Sequence, residues 1–203
     1  MPRFASIIIM RVMFGGLLGF EAANYFRVFK FQIVYTWLGL ILTALVVWAA
    51  LEYLHHRSAK RLHVLAWVLV VAAVLVDFSG EMLRWYASIP YYDKVAHIFG
   101  GAAATAAILL YYQTKRTSLR AQEIFRAAVI TAAAGYLYEF EEFAEDALTL
   151  SHRWGGLYDS AGDVLANVAG AMLVILLIHS RRFYPGAQSS SGHDTPTTQP
   201  GLK

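Results

Sequence analysis

Hydrophobic residues in this chain come in runs long enough to cross a bilayer, with short charged stretches between them. The runs fall at about residues 31–54, 62–78, 95–112, 127–143 and 161–179, against the roughly 20 residues that a spanning helix needs. Lipid offers no partner for a backbone N–H or C=O, so segments of this kind must be helical. Composition agrees: 58% of residues are hydrophobic and 15% charged, with a mean hydropathy of +0.46, too apolar for an ordinary soluble domain of 203 residues. The expected fold is all-α: a polytopic helical membrane protein of five to six transmembrane helices, with residues 1–183 forming one transmembrane domain.

The sixth helix would come from residues 4–20, which carry Arg11 near the middle. A guanidinium there must face protein, with Glu52 or Glu21 as its acid, or the segment lies in the interface as an amphipathic helix. Orientation follows from basic residues near the helix ends. His55, His56, Arg57, Lys60 and Arg61 fill one loop, Lys115, Arg116 and Arg120 another, and Arg181 and Arg182 follow the last run. These loops alternate, so all are expected on the cytoplasmic side of a multi-pass cell (inner) membrane protein. Residues 184–203, rich in Ser, Thr, Pro and Gly, read as a disordered cytoplasmic tail. The opposite loops carry Trp85, Tyr86, Tyr91, Tyr92 and Trp154, as an aromatic belt would.

The partner implied is the lipid bilayer. Basic residues that cluster between the apolar segments make a nucleic-acid partner a weak reading, and no oligomeric state follows. Without cysteine there is no disulfide framework, thiolate metal site or thiol nucleophile.

Acids concentrate at the opposite ends of the last three helices. Glu139, Glu142 and Asp146 lie within about 60° of one another on a helical wheel, and Asp159, Asp163 and Asn167 recur at steps of four. Asp93 and His97 are also four apart. Inward of them run small residues, Gly100, Ala104 and Ala107, then Gly135, Ala132 and Ala128, then Ala166 and Gly170, which let membrane helices approach closely. The three helices should therefore pack tightly and open into a cup lined by Asp93, His97, Glu139, Glu142, Asp146, Asp159, Asp163 and Asn167.

Such a cup needs compensation. Two carboxylates ~5 Å apart repel by about 3 kcal/mol at an effective dielectric near 20, so the group must share protons, pair with bases or hold a cation. Oxygen ligands with one imidazole suit a divalent Mg, Mn, Ca or Zn ion, with Asp93, His97, Glu139, Glu142, Asp146, Asp159 and Asp163 as candidate ligands and His97 as candidate acid or base. Lys94, adjacent to Asp93, should point elsewhere on its helix, whereas Arg84 and Arg153 could reach in from loops. Glu141 and Glu145 fall on the far side from Glu139. Asp77 and Glu81 should form an end-of-helix ion pair with Arg84.

No His-Glu-x-x-His or Gly-x-Ser-x-Gly motif is present. Glu141-Glu142 matches the paired glutamates of the CAAX-protease-like family, but Asp146 stands where that family has arginine. Gly155, Asp159 and Asp163 match only half of the CDP-alcohol phosphotransferase signature.

The set Tyr92-Asp93-Lys94-x-x-His97, Tyr138-Glu139-x-x-Glu142 and Tyr158-Asp159-x-x-x-Asp163 with Asn167 and Gly170-Ala171 resembles the YjdF-like family of small inner-membrane proteins. It is more loosely similar to VanZ-like proteins, through Asp93-Lys94-x-x-His97 and Gly162 to Asn167. The resemblance implies a compact helical membrane fold with an outward polar site. Trp154-Gly155-Gly156 replaces the Gln-Gly-Asp associated with many YjdF-like members. Two functions remain open: a metal-dependent enzyme acting on a lipid-linked or envelope substrate, or a non-catalytic protein, structural, resistance-associated or transporting ions or protons, with a paired acidic network.

Overall fold

A computed structural model describes residues 3–116, 118–150 and 152–183. The expected tail, 184–203, lies outside them. The described residues form seven helices and no strand: α1 (Arg3–Tyr25), α2 (Trp37–Arg57), α3 (Val64–Met82), the single-turn α4 (Trp85–Ser88), α5 (Tyr92–Lys115), α6 (Ala121–Thr149) and α7 (Leu157–Phe183). Five of them, α1, α2, α3, α5 and α7, are long and apolar enough to cross a membrane.

Helix α6 belongs to the same bundle for a reason its average hydropathy hides. Its Glu and Arg residues keep it out of the strongly apolar group, yet 29 residues extend about 43 Å at 1.5 Å per residue. The face it leaves exposed carries Phe125, Val129, Ile130, Leu137 and Phe140, while Glu123, Thr131, Glu139 and Glu145 are buried. Large apolar side chains are exposed on α1, α2, α3, α5 and α7 as well, a continuous apolar surface that requires lipid around it.

Two cores hold the helices together. Ile7, Phe14, Ala44, Leu51, Ala66, Trp67 and Val70 join α1, α2 and α3, and Ile108, Leu109 and Ala127 join α5 and α6. Arg11 faces protein, as expected: its Nε and Nη2 reach Glu52 Oε1 and Oε2 at 2.6 and 2.7 Å. That fork-to-fork pair supplies the partner a guanidinium needs inside the membrane.

Helices α5 and α7 approach until backbone touches backbone. A Cβ at Gly101 would lie 2.2 Å from the Asn167 carbonyl oxygen, and one at Gly170 would lie 2.0 Å from that of Ile98. Small residues are therefore obligatory at this crossing. It is the crossing that sets His97 beside Asp163 and Asn167.

Helix α2 begins at Trp37, later than the apolar run at 31 suggests, because Thr36 caps it: its Oγ1 accepts from Gly39 N. Residues 30–36 instead form an irregular entry whose amides are held from other helices. Glu81 Oε2 of α3 accepts Val34 N at 3.1 Å and Tyr35 N at 3.0 Å, while Glu145 Oε1 of α6 accepts Gly39 N at 3.1 Å and the Thr36 hydroxyl. The expected pairing of Glu81 with Arg84 is therefore replaced by backbone capture, since unpaired amides entering a buried helix are costly. Arg84 itself is exposed.

Candidate functional site

The acidic ends of α3, α5, α6 and α7 meet at one end of the bundle, around a cleft of about 330 Å³ lined by Tyr35, Asp77, Glu81, Asp93, Lys94, Glu142, Arg153 and Asp159 among others. Two charge clusters share it.

The first is centred on His97, a residue 8% exposed. Its Nε2 lies 3.4 Å from Asp93 Oδ1, 3.5 Å from Asp163 Oδ1 and 3.6 Å from Glu139 Oε1. These separations exceed a good N–H···O hydrogen bond. Donor atoms of Asp93, His97 and Asp163 all fall within 4.8 Å of one another, so the three could hold a metal ion. Glu139 Oε1 is buried and has no hydrogen-bond partner. On the other side of the ring, Nδ1 meets Asn167 Nδ2 at 3.0 Å, and the same amide donates to the Asp163 carbonyl at 3.1 Å. With Nδ2 so placed, Nδ1 accepts and the ring proton sits on Nε2, aimed among the carboxylates.

Lys94 corrects the sequence reading. Rather than pointing away, its Nζ lies 2.5 Å from Asp159 Oδ1, 2.7 Å from Asp163 Oδ1 and 3.4 Å from Asp93 Oδ2. A helical wheel gives the direction of Cβ, and the four-carbon stem carries the charge across to α7.

The second cluster surrounds Arg153, in the loop between α6 and α7. Its Nη1 reaches Glu145 Oε2 at 3.1 Å and Glu141 Oε2 at 3.3 Å, its Nε reaches Glu142 Oε1 at 3.1 Å, and its Nη2 donates to the Tyr138 hydroxyl. The guanidinium carbon also sits 5.1 Å from the centre of the Tyr138 ring, within cation–π range. Burial works against its charge, but Tyr138, Glu142, Asp77 and Glu141 hold Arg153 protonated well above its ordinary range. Asp146 fixes the loop itself, accepting Arg153 N at 2.7 Å and Trp154 N at 3.0 Å.

Among the eight residues expected to line one cup, the structure therefore brings Asp93, His97, Glu139, Asp163 and Asn167 together, with Asp159 joined through Lys94. Glu142 and Asp146 are engaged by Arg153. Glu141 and Glu145, expected to face away, belong to the Arg153 cluster. The signal was present: Tyr138, Glu141, Glu142 and Glu145 follow i, i+3, i+4, i+7 spacing and form a second polar stripe beside that of Glu139. Asn167 stands in the cup as expected, and its amide orients His97. The aromatic belt is partly turned inward, with the Tyr86 hydroxyl on Asp77 Oδ1 at 2.8 Å and the Tyr92 hydroxyl on the Val76 carbonyl at 2.8 Å.

Residues 5–183 match the family model described as predicted membrane protein DUF2238. The chain belongs to that family. The resemblance to YjdF-like membrane proteins agrees with this assignment. Neither a curated protein nor a solved structure matches the chain. Membership in DUF2238 carries the membrane character of the bundle and leaves the chemistry to be argued from the site.

Proposed function

We propose that Asp93, His97, Glu139 and Asp163 form a divalent-cation centre in a membrane-embedded enzyme acting at the extracytoplasmic face on a lipid-linked or envelope substrate. One observation carries this reading. The His97 Nε2 distances of 3.4 and 3.5 Å to Asp93 and Asp163 belong to three donor atoms within 4.8 Å of one another, close enough for one ion to be held by all three, and Glu139 Oε1 stands 3.6 Å from Nε2 beside them. They are too long for hydrogen bonds and suit donors grouped about a shared ion. Of the ions considered, Mg, Mn, Ca and Zn, that spacing and a buried imidazole favour zinc.

To hold an ion, Asp163 would have to be released by Lys94, which would keep Asp159, and the Asn167 amide would have to offer Oδ1 to Nδ1–H so that Nε2 is free to ligate. The ion would supply Lewis acidity beside the cleft. Lys94, which lines that cleft, would offer its charge to the phosphate of a lipid-linked substrate, whereas Arg153 is spent on its own carboxylates. In the ion-free state the Nε2 proton of His97 stands among the carboxylates, where it would serve as a general acid.

A second reading has its own support. The contacts of Lys94 to Asp159 and Asp163 and the donation from Asn167 to His97 describe a network that pairs most of these groups without a metal, suited to a structural, resistance-associated or ion- or proton-transporting role. Elemental analysis of detergent-purified protein separates the two. Stoichiometric zinc in wild type and in Glu141→Gln, lost in Asp163→Asn, is expected for the cation centre. Absence of metal from wild type purified in zinc-supplemented medium would leave the paired network.

A further inference from the structure

A third carboxyl group lies apart from both clusters. Glu21, near the end of α1, is fully buried at 0% exposure, and neither of its carboxylate oxygens has a hydrogen-bond partner. Helix α1 packs against α3 here, with the rings of Phe20 and Phe78 edge to face at 5.9 Å. The residues that adjoin them, Glu21 and Asp77, interact electrostatically. Asp77 Oδ1 accepts the Tyr86 hydroxyl at 2.8 Å, whereas its Oδ2 is buried and also without a partner. Three carboxylate oxygens without a partner thus lie on neighbouring helices, two on Glu21 of α1 and one on Asp77 of α3.

The surroundings contain little else to compensate them. Between Trp37 and Leu51, α2 carries no titratable residue. Its Glu52 is paired with Arg11, ten residues and about 15 Å further along α1. On α3, Glu81 is committed to the amides of Val34 and Tyr35. Arg27 and Lys30, in the loop after α1, are exposed. Arg153, the hydroxyls of Tyr86 and Tyr92, and Tyr138, Glu141 and Glu142 of α6 approach from the Asp77 side, the two glutamates already engaged by Arg153.

Two unpaired carboxylates in such a place would cost several kcal/mol in lost hydration alone. A single proton on Glu21 removes a buried charge that has no partner. We propose that Glu21 and Asp77 form a proton-binding site, with the proton held on the fully buried Glu21 carboxyl and the Asp77 carboxylate standing between it and the cleft. Asp77 lines the cleft and Glu21 does not reach solvent, so the proton enters through Asp77 and is held on the closed side. The site is independent of any metal at His97.

Infrared spectroscopy on the reconstituted full chain reads it directly. At neutral pH wild type is expected to show a protonated-carboxyl band that disappears in Glu21→Gln, a neutral variant of the same shape that should fold. Asp77→Asn, the second variant, should keep the band and shift its frequency. Thermal melts give an independent reading. The folded chain binds one more proton than the unfolded chain at neutral pH, so its stability must fall as pH rises. The wild-type folding equilibrium should decline relative to Glu21→Gln by up to tenfold per pH unit above the ordinary carboxyl range near ~4.3. Three results would overturn the site: no difference band between wild type and Glu21→Gln, a stability difference that ignores pH, or selective stabilisation of wild type by sodium or potassium, which would assign the oxygens to a metal cation.

Discussion

Arg153 shows how much one side chain decides here. Three carboxylates of α6 converge on a guanidinium only 5% exposed, and Glu145 passes the order on to the start of α2 through Gly39 N. Arg153→Met should destabilise the protein by about 3–5 kcal/mol, because the loss of one partner leaves buried charges unpaired. Arg153→Lys should recover part of this, since a point charge cannot fork toward several acids. Melting in detergent checks both, and a wild-type melting temperature for Arg153→Met would contradict the cluster. At this scale the sequence was half legible. The acids and the histidine could be picked out by spacing, but the partners of Lys94 and Arg153 could not, because long flexible side chains bridge elements that no one-dimensional pattern relates.

Among the elements, the apolar runs showed where helices lie, and the departures have local causes. Helix α2 starts late at the Thr36 cap, and α6 runs to Thr149, past its apolar stretch, because its acids find Arg153 and the backbone of the following loop. The α5–α7 crossing was visible as small residues, although Gly101 and not Gly100 makes the closest approach; a stripe of glycines and alanines does not say which one meets a backbone. Gly170→Ala should cost at least about 1–3 kcal/mol, the range for overpacking a tight interior, because the Ile98 carbonyl 2.0 Å from the new Cβ cannot yield. Gly19→Ala, with nothing within 4 Å, is the matched control and should melt no lower than wild type. Equal losses in the two variants would show that the crossing is not so tight.

Over the whole molecule, charge is sorted by end. Acids gather around the 330 Å³ cleft, and at the other end Lys60, Lys115, Arg116 and Arg120 surround a depression of about 770 Å³. This polarity is what a bundle oriented by basic loops requires, and it was readable from the order of the runs. Convergence of donors from three helices was not, since it depends on packing angles fixed by Gly101 and Gly135 against Asn167 and by Gly170 against Ile98. The visible spectrum of the purified protein titrated with cobalt tests that convergence most directly, because a tetrahedral nitrogen–oxygen site gives Co²⁺ intense absorption and an octahedral aqueous site gives little. Intense bands in wild type and Glu141→Gln, abolished in His97→Ala and Glu139→Gln, are expected; a weak octahedral spectrum in wild type, or bands that survive loss of His97, would contradict a shared centre of Asp93, His97, Glu139 and Asp163.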